Sequence, residues 1–263
     1  MLRFRNKTVL ITGAGSGIGE AMAVELAAQG ANLILASRTP SHLDAVCEIC
    51  RASGVQVWPI QVDVADTASV DAMVEQVRAL QLVPDVLVLN AGISQRAMTL
   101  ETDFSVDRKL MDINYFGAIY VVKKFKQEIL SSKQISIAVT SSISGIFGFP
   151  MRSAYCASKR ALFGFFESLE LEYPNVRVTM LIPGRINTPI SLSAITESGQ
   201  PYAKMDPGQA TGMAVKDCAR IAVRAIAKGK HKQLIGKKEL LMVHIYKYLP
   251  ALYYKLARKI SAV

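Results

Sequence analysis

The 263-residue chain holds one Trp, three His and four Cys. Four scattered cysteines (Cys47, Cys50, Cys156, Cys218) are too few to staple a disulfide scaffold. Cys47 and Cys50 form a CxxC, but inside the helix-like segment SHLDAVCEICRASG and with no second ligand pair. Two helical thiols one turn apart account for it better than a metal or redox site does. His42, His231 and His244 each stand far from any carboxylate cluster, so no metal site is expected. Runs of 18 apolar residues are missing too, and no membrane-spanning helix is expected. The N-terminal MLRFRNKTVLITGAG enters a strand-like segment at once, without the apolar core and cleavage site of a secretory leader. The cytoplasm is therefore the expected compartment. Acidic residues are scarce at one end. From Lys228 onward there are nine Lys/Arg and one acid, Glu239, so of the net +10 the first 227 residues carry only +2. A basic excess confined to a tail argues against a nucleic-acid-binding face over the whole chain.

What is present is ordinary globular usage, 51% hydrophobic and 20% charged, in one chain long enough for a large core. Short apolar runs alternate with longer helical patterns. Strands are predicted at 7–12, 32–37, 55–60, 85–90, 135–141 and 176–182, nearly continuous in apolar content as both-face-covered strands are. Segments such as 17–30 and 67–80 carry apolar residues at helical spacing. Gly30, Gly54 and Pro84 mark junctions, and no repeat or interdomain linker is visible. Strand–helix–strand units of this kind predict a single α/β domain over 1–263 with a doubly wound parallel Rossmann sheet, its ligands at the C-terminal strand ends.

After the first strand comes TGAGSGIG, residues 12–19, and then a helix. Gly13 suits the tight turn, Gly17 a close approach to a pyrophosphate, and Gly19 close helix–strand packing. The helix N-terminus would offer free N–H groups to phosphate. At the second strand's end stand Ser37 and Arg38 where an NAD site would place an acid. A guanidinium there suits a 2′-phosphate, so NADP(H) is the expected cofactor. Asp63 at the third strand's end could accept from the adenine amino group, with Val64 beneath the ring. In YCASK, Tyr155 and Lys159 are four apart and share one helix face. That spacing alone leaves two readings open, an amphipathic helix with unrelated polar groups or an acid with its pKa tuner.

With TGAGSGIG, NAG at 90–92 and Tyr155-x-x-x-Lys159 in this order, residues 5 to 230 resemble the classical short-chain dehydrogenase/reductase family, near its hydroxysteroid-dehydrogenase-like branch. One departure is Leu89, where the family's usual NNAG has Asn. The resemblance implies a sheet of about seven strands and an NADP(H)-dependent reductase or alcohol dehydrogenase acting on a carbonyl or secondary alcohol. It makes Tyr155 the general acid/base, its phenol (ordinarily near pKa ~10) acidified by the Lys159 ammonium and a positive nicotinamide. Lys159 would also hold the nicotinamide ribose. The family's serine stands 13 positions before the tyrosine, which selects Ser142, with Ser141 second. Asn114 matches the helix asparagine of the proton relay. The implied dinucleotide set adds Ser16, Ile18, Asn90, Ala91, Gly92, Pro183, Gly184, Ile186 and Thr188 to the residues above, with Tyr155 and Lys159. Arg185 has no expected role.

Residues about 189–212 read as a substrate lid. Ile146, Phe147, Phe149, Met151, Met205 and Met213 suggest an apolar pocket for a lipophilic substrate, or simple packing of lid on body. The basic tail, about 237–263, spaces Leu252, Leu256 and Ile260 four apart with Lys255, Arg258 and Lys259 elsewhere on the wheel. It would meet a membrane surface, a partner subunit or its own domain. The family's habit implies a homodimer or homotetramer through the long helices, including ALFGFFESLEL. Two other functions stay open: a non-catalytic NADPH-binding sensor, and a membrane-associated interaction protein.

Overall fold

A computed structural model describes residues 4–259. Seven strands run parallel: β1 (Thr8–Thr12), β2 (Asn32–Ser37), β3 (Val57–Gln61), β4 (Val86–Leu89), β5 (Ile135–Thr140), β6 (Val176–Pro183) and β7 (Lys232–Ile235). Their order is β3-β2-β1-β4-β5-β6-β7, so the winding reverses between β1 and β4. The register there pairs Val9 with Val86 and Thr12 with Leu89. Both edges of that gap point their C-terminal ends the same way, which opens the crevice where ligands of such sheets gather.

Continuous apolar sequence in β1, β2, β4 and β5 follows from burial on both faces. On one face lie α1 (Gly17–Ala28), α2 (Ser41–Arg51) and α9 (Val215–Ala227), packed on Val9, Ile11, Leu33 and Leu35. On the other lie α3 (Thr67–Ala79), α5 (Gly117–Lys124) and α7 (Ser153–Glu172), over Leu10, Ile34, Leu87 and Ile137. The alternation of odd and even strand residues between the two faces is the pleat itself. Burying such a Leu or Ile contributes about 2 kcal/mol. α9 shows the helical counterpart: Cys218, Ala219, Ala222, Val223 and Ile226 are buried while Lys216 and Arg220 are exposed. α3 starts on Asp66, whose carboxylate accepts from Ala68 N at 3.0 Å.

Two differences from the sequence expectations have local causes. β3 is an edge strand, which is why Pro59 is tolerated within it, and it begins at Val57 rather than 55 because Gln56 N donates to the Asn32 side chain (3.0 Å). The seventh strand, Lys-Gln-Leu-Ile, is the opposite edge, half polar and partly exposed, and so carries little apolar signal.

Segment 189–212 is docked rather than free. Ser191 and Ala194 are fully buried, Ile195 N donates to Ser94 O, and Arg96 N donates to Ile195 O. Its short helix α8 (Pro207–Ala210) ends the excursion. After β7, α10 (Leu241–Tyr248) and α11 (Pro250–Ala257) fold back on the domain. Tyr253 and Ala257 are buried, Tyr246 and Tyr253 pack on Phe147, and Tyr253 Oη donates to Gly148 O. Leu252 and Leu256 face outward; Ile260 lies outside the described residues. Among the described residues no helix is long and apolar enough to cross a membrane.

Candidate active site

The glycine-rich turn leaves β1 and enters α1. Gly13 and Gly17 adopt left-handed φ of +66° and +58°, which L side chains adopt only under strain. Gly19 needs its hydrogen for space: a Cβ would overlap the Gly13 carbonyl oxygen. Ser16 caps α1 with its backbone only, making no side-chain bond to the first turn, so those amides stay free for an anion. The Thr12 hydroxyl accepts from Asn90 N (3.1 Å) and Ala91 N (3.2 Å), tying the ends of β1 and β4 together. Asn90 Nδ2 returns bonds to Thr12 O (3.3 Å) and Gly13 O (3.2 Å). Leu89, the departure noted in the sequence, is buried at the end of β4 and leaves this lacing to Asn90.

A cavity of about 480 Å³ runs from this turn past the ends of β4, β5 and β6 to segment 189–212. Its lining includes Gly13, Ser16, Gly17, Ile18, Asn90, Ala91 and Gly92, then Ser142, Tyr155 and Lys159, then Pro183, Gly184, Ile186 and Thr188. Ser37, Arg38, Asp63 and Val64 are not in that lining but stand at the neighbouring ends of β2 and β3. The Ser37 hydroxyl approaches Gly15 (3.1 Å from a Cβ there), and Arg38 is exposed. A free-amide cradle, glycines a Cβ would fill, and an exposed guanidinium beyond β2 together fit a dinucleotide.

Ser142 and Ser141 part company. Ser141 Oγ donates to Lys159 O at 2.9 Å and is fully buried, so it braces α7. Ser142 Oγ accepts from Ser144 N (3.1 Å) and lies close enough to Tyr155 to favour its ionised form. Lys159 Nζ donates to Thr140 O (2.8 Å) and stands 6.0 Å from the Tyr155 ring centre. Its burial pulls the ammonium down to about 8. Asn114 sits in a widened π turn (Asp112–Phe116) between α4 (Phe104–Met111) and α5. Its side chain accepts from Ile93 N (2.8 Å) and donates to Ile93 O and Ser158 Oγ (3.0 Å each), locking the loop after β4 to α7.

Burial pushes Tyr155 up, opposed by Ser142 and by the charges of Arg152 and Arg96; Lys159 is not among the groups lowering it. The ammonium bonds Thr140 O, and the two guanidiniums line the same cavity.

Those arginines, with Ser94, Asp206 and Gln209, are what sequence reasoning missed. Asp206 accepts from Arg96 Nε (3.1 and 3.2 Å), from Arg96 Nη2, and from Arg152 Nη2 (3.0 Å). Arg96 Nη1 donates to Ser94 Oγ at 2.8 Å. Gln209 Nε2 donates to Ile186 O (2.9 Å) and Thr188 Oγ1 (3.3 Å), joining α8 to the turn after β6. The only sequence signal was Arg152 three positions before Tyr155. Of the six residues expected to build an apolar pocket, Phe149 lines the cavity; Phe147 packs on the C-terminal tyrosines and Met213 joins the other core face.

An open parallel sheet with a glycine-rich turn at its switch point defines a dinucleotide-binding α/β class. The family model described as short chain dehydrogenase matches residues 7–198. The chain is 35% identical over 261 residues to "Dehydrogenase/reductase SDR family protein 7-like" of Anopheles gambiae, covering 96% of this chain and 82% of that one. It is 34% identical over 259 residues to "Dehydrogenase/reductase SDR family member 7B" of Mus musculus, covering 96% and 80%. A short chain dehydrogenase/reductase from Burkholderia phymatum in complex with NAD superposes with TM-score 0.82 at 24% identity, covering 96% of each chain. An alcohol dehydrogenase from Thermococcus sibiricus complexed with 5-hydroxy-NADP gives 0.77 at 25% identity, covering 89% of this chain and 97% of that one. The chain belongs to the short-chain dehydrogenase/reductase family, oxidoreductases that use a nicotinamide cofactor and act on small molecules.

Proposed function

We propose that the protein is an NADP(H)-dependent carbonyl reductase or alcohol dehydrogenase in which Tyr155 handles the proton on the substrate oxygen. The observation that carries this is the meeting of Ser142, Tyr155 and Lys159 in one cavity continuous with the glycine-rich turn. The dinucleotide, when bound, supplies or accepts the hydride. Tyr155, its phenol held up by burial, stays protonated at neutral pH and is suited to donate to a developing alkoxide. Ser142 would hydrogen-bond the same oxygen. Lys159 would orient the ribose, and Asn114 would keep Lys159 and the loop after β4 in register. Gly13, Ser16, Gly17, Ile18 and Gly19 would receive the pyrophosphate, with Asn90, Ala91, Gly92, Pro183, Gly184, Ile186 and Thr188 framing the nicotinamide half. Asp63 and Val64 would receive the adenine.

Preference for NADP(H) rests on Arg38, exposed just after β2 next to Ser37, with no acid at either position. Segment 189–212 would act as the lid. Ile143, Phe149 and Ile190 give the cavity an apolar wall, which favours a substrate with a lipophilic portion. The test is a panel of aliphatic, aromatic and steroidal ketones followed at the nicotinamide absorbance with each cofactor. NADPH should be preferred by tenfold or more and Arg38→Glu should reverse the order; NADH preference in the parent protein would overturn the assignment.

A second reading concerns the surface. On α10 and α11, Leu241, Tyr248, Leu249 and Leu252 are exposed among Lys247, Lys255 and Arg258, a composition suited to peripheral contact with an anionic membrane from the cytoplasm. Exposed Phe104, at the start of α4, and Phe116, the last residue of the π turn, would serve a homodimer or homotetramer. Co-sedimentation with anionic vesicles, lost on deleting residues 250–263, tests the former; sedimentation velocity tests the latter.

A further inference from the structure

Resting on the reductase reading, we propose that the substrate carries an oxyanion, a carboxylate or a phosphate, and that Arg152 is its anchor beside Tyr155. The side chains lining the cavity include four cations, Arg96, Arg152, Arg185 and Lys159, and one carboxylate, Asp206. That carboxylate is shared by two guanidiniums and can neutralise one of them. Arg96 has its needs met: its charge faces Asp206, Nη1 is bonded to Ser94 Oγ, and its side chain is 1% exposed. Arg152 is left over. It gives one Nη2 bond to Asp206, lays its guanidinium 4.9 Å from the Phe149 ring centre, and keeps a solvent-shielded Nε without a partner. Burial and the Arg96 charge pull it down to about 10, so it still enters the neutral range as a cation.

A low-dielectric cleft lined by an excess of one charge concentrates the opposite charge in its ligand. A planar guanidinium offers paired N–H donors that carboxylates and phosphates accept; with Nη2 on Asp206 and Nε shielded, Nη1 is the donor Arg152 has left for such a group. Clamping segment 189–212 to the body would need only the Arg96–Asp206 pair, so the second arginine is surplus to that role. Phe149 under the guanidinium and Ile143 and Ile190 nearby keep the rest of the ligand apolar. The chemistry recognised is thus an amphiphile, carbonyl and anion at one end.

The test titrates octanoate, octyl phosphate and 1-octanol by calorimetry into the full chain saturated with NADP⁺, then repeats the titrations with Arg152→Gln and Asp206→Asn. At least one anion should bind tenfold or more tighter than octanol, and which one identifies the headgroup. Arg152→Gln should bring all three within threefold, whereas Asp206→Asn, by removing the competing carboxylate, should widen the preference. Equal affinities in the parent protein, a preference that survives Arg152→Gln, or anions that displace NADP⁺ would each overturn the proposal. A parallel assay compares 4-oxooctanoate, whose ketone and carboxylate share one end of the chain, with its methyl ester as substrates. Anion binding without turnover of either leaves the Arg152 site standing and removes the reductase reading; turnover of the ester in preference to the acid removes the site and keeps the reductase.

Discussion

Replacing Asp206 by Asn keeps the shape and most of the hydrogen-bonding capacity of the side chain while deleting one charge. In the native protein that charge faces Arg96, whose side chain is 1% exposed, and Arg152, which is 18% exposed. Removing one partner of a buried ion pair costs about 3–5 kcal/mol, because the remaining charge is neither paired nor hydrated. Two features pull the value toward the lower end. Arg96 keeps its bonds to Ser94 Oγ and Gln95 O, and Arg152 has a partial route to water. About 3 kcal/mol remains, which for a chain of this size is a fall in melting temperature of roughly 6–12 °C. Differential scanning calorimetry at pH 7 reads it directly, with Asp217→Asn as the comparison. Asp217 pairs with Arg220 on the surface (51% and 63% exposed), so its loss should stay within about 1 kcal/mol and should shrink with added salt. The Asp206 effect should be nearly independent of salt. Equal melting of Asp206→Asn and the parent protein would refute the reasoning, since water would then be solvating both guanidiniums inside the cavity.

Further predictions concern the turn and the lysine. Gly19→Ala should cost about 1–3 kcal/mol by overpacking and weaken NADP(H) binding, because its Cβ meets the Gly13 carbonyl and stands 2.5 Å from Asn90 Nδ2. Gly54→Ala has φ +78° and nothing within 4 Å of a Cβ, so it should cost only about 1 kcal/mol of backbone strain and leave cofactor affinity alone; equal losses by urea denaturation would contradict both. For Lys159, the folded value of about 8 lies below the ordinary 10.5, so between these pH values the unfolded chain holds a proton the folded one has shed. Stability of the parent protein relative to Lys159→Met should therefore rise with pH across that window, by about 3 kcal/mol in all. A flat difference between pH 7 and 10.5 would show that the ammonium is solvated.

The sheet was legible because burial on both faces writes itself as unbroken apolar runs: five of the six named strands appear within a residue of their expected bounds at both ends, and the sixth, β3, at one. β7 escaped because it is four residues long, half polar and partly exposed. The glycine turn was readable from its own spacing, whereas Ser142, Asn114 and the roles given to Tyr155 and Lys159 came from the resemblance to the family. The ion cluster was not. Arg96 and Asp206 are 110 positions apart, and each alone reads as a solvated charge. Only the docking of segment 189–212 buries them, and that docking depends on contacts such as Ile195 N to Ser94 O that no periodicity encodes. In the tail the leucine spacing was legible as a pattern but not what it faces: Leu252 and Leu256 point outward while Tyr253 and Ala257 face the core, because the aromatic Phe147–Tyr246–Tyr253 cluster decides the roll of the helix.

The assignment stands or falls most directly on Tyr155→Phe, measured by stopped flow as hydride transfer from pre-bound NADPH to the best ketone of the panel, with NADPH affinity read separately by fluorescence. Loss of the hydroxyl should slow that step by about 10²–10⁴ while affinity changes less than threefold. A transfer rate within tenfold of the parent protein, at full cofactor occupancy, would contradict the account.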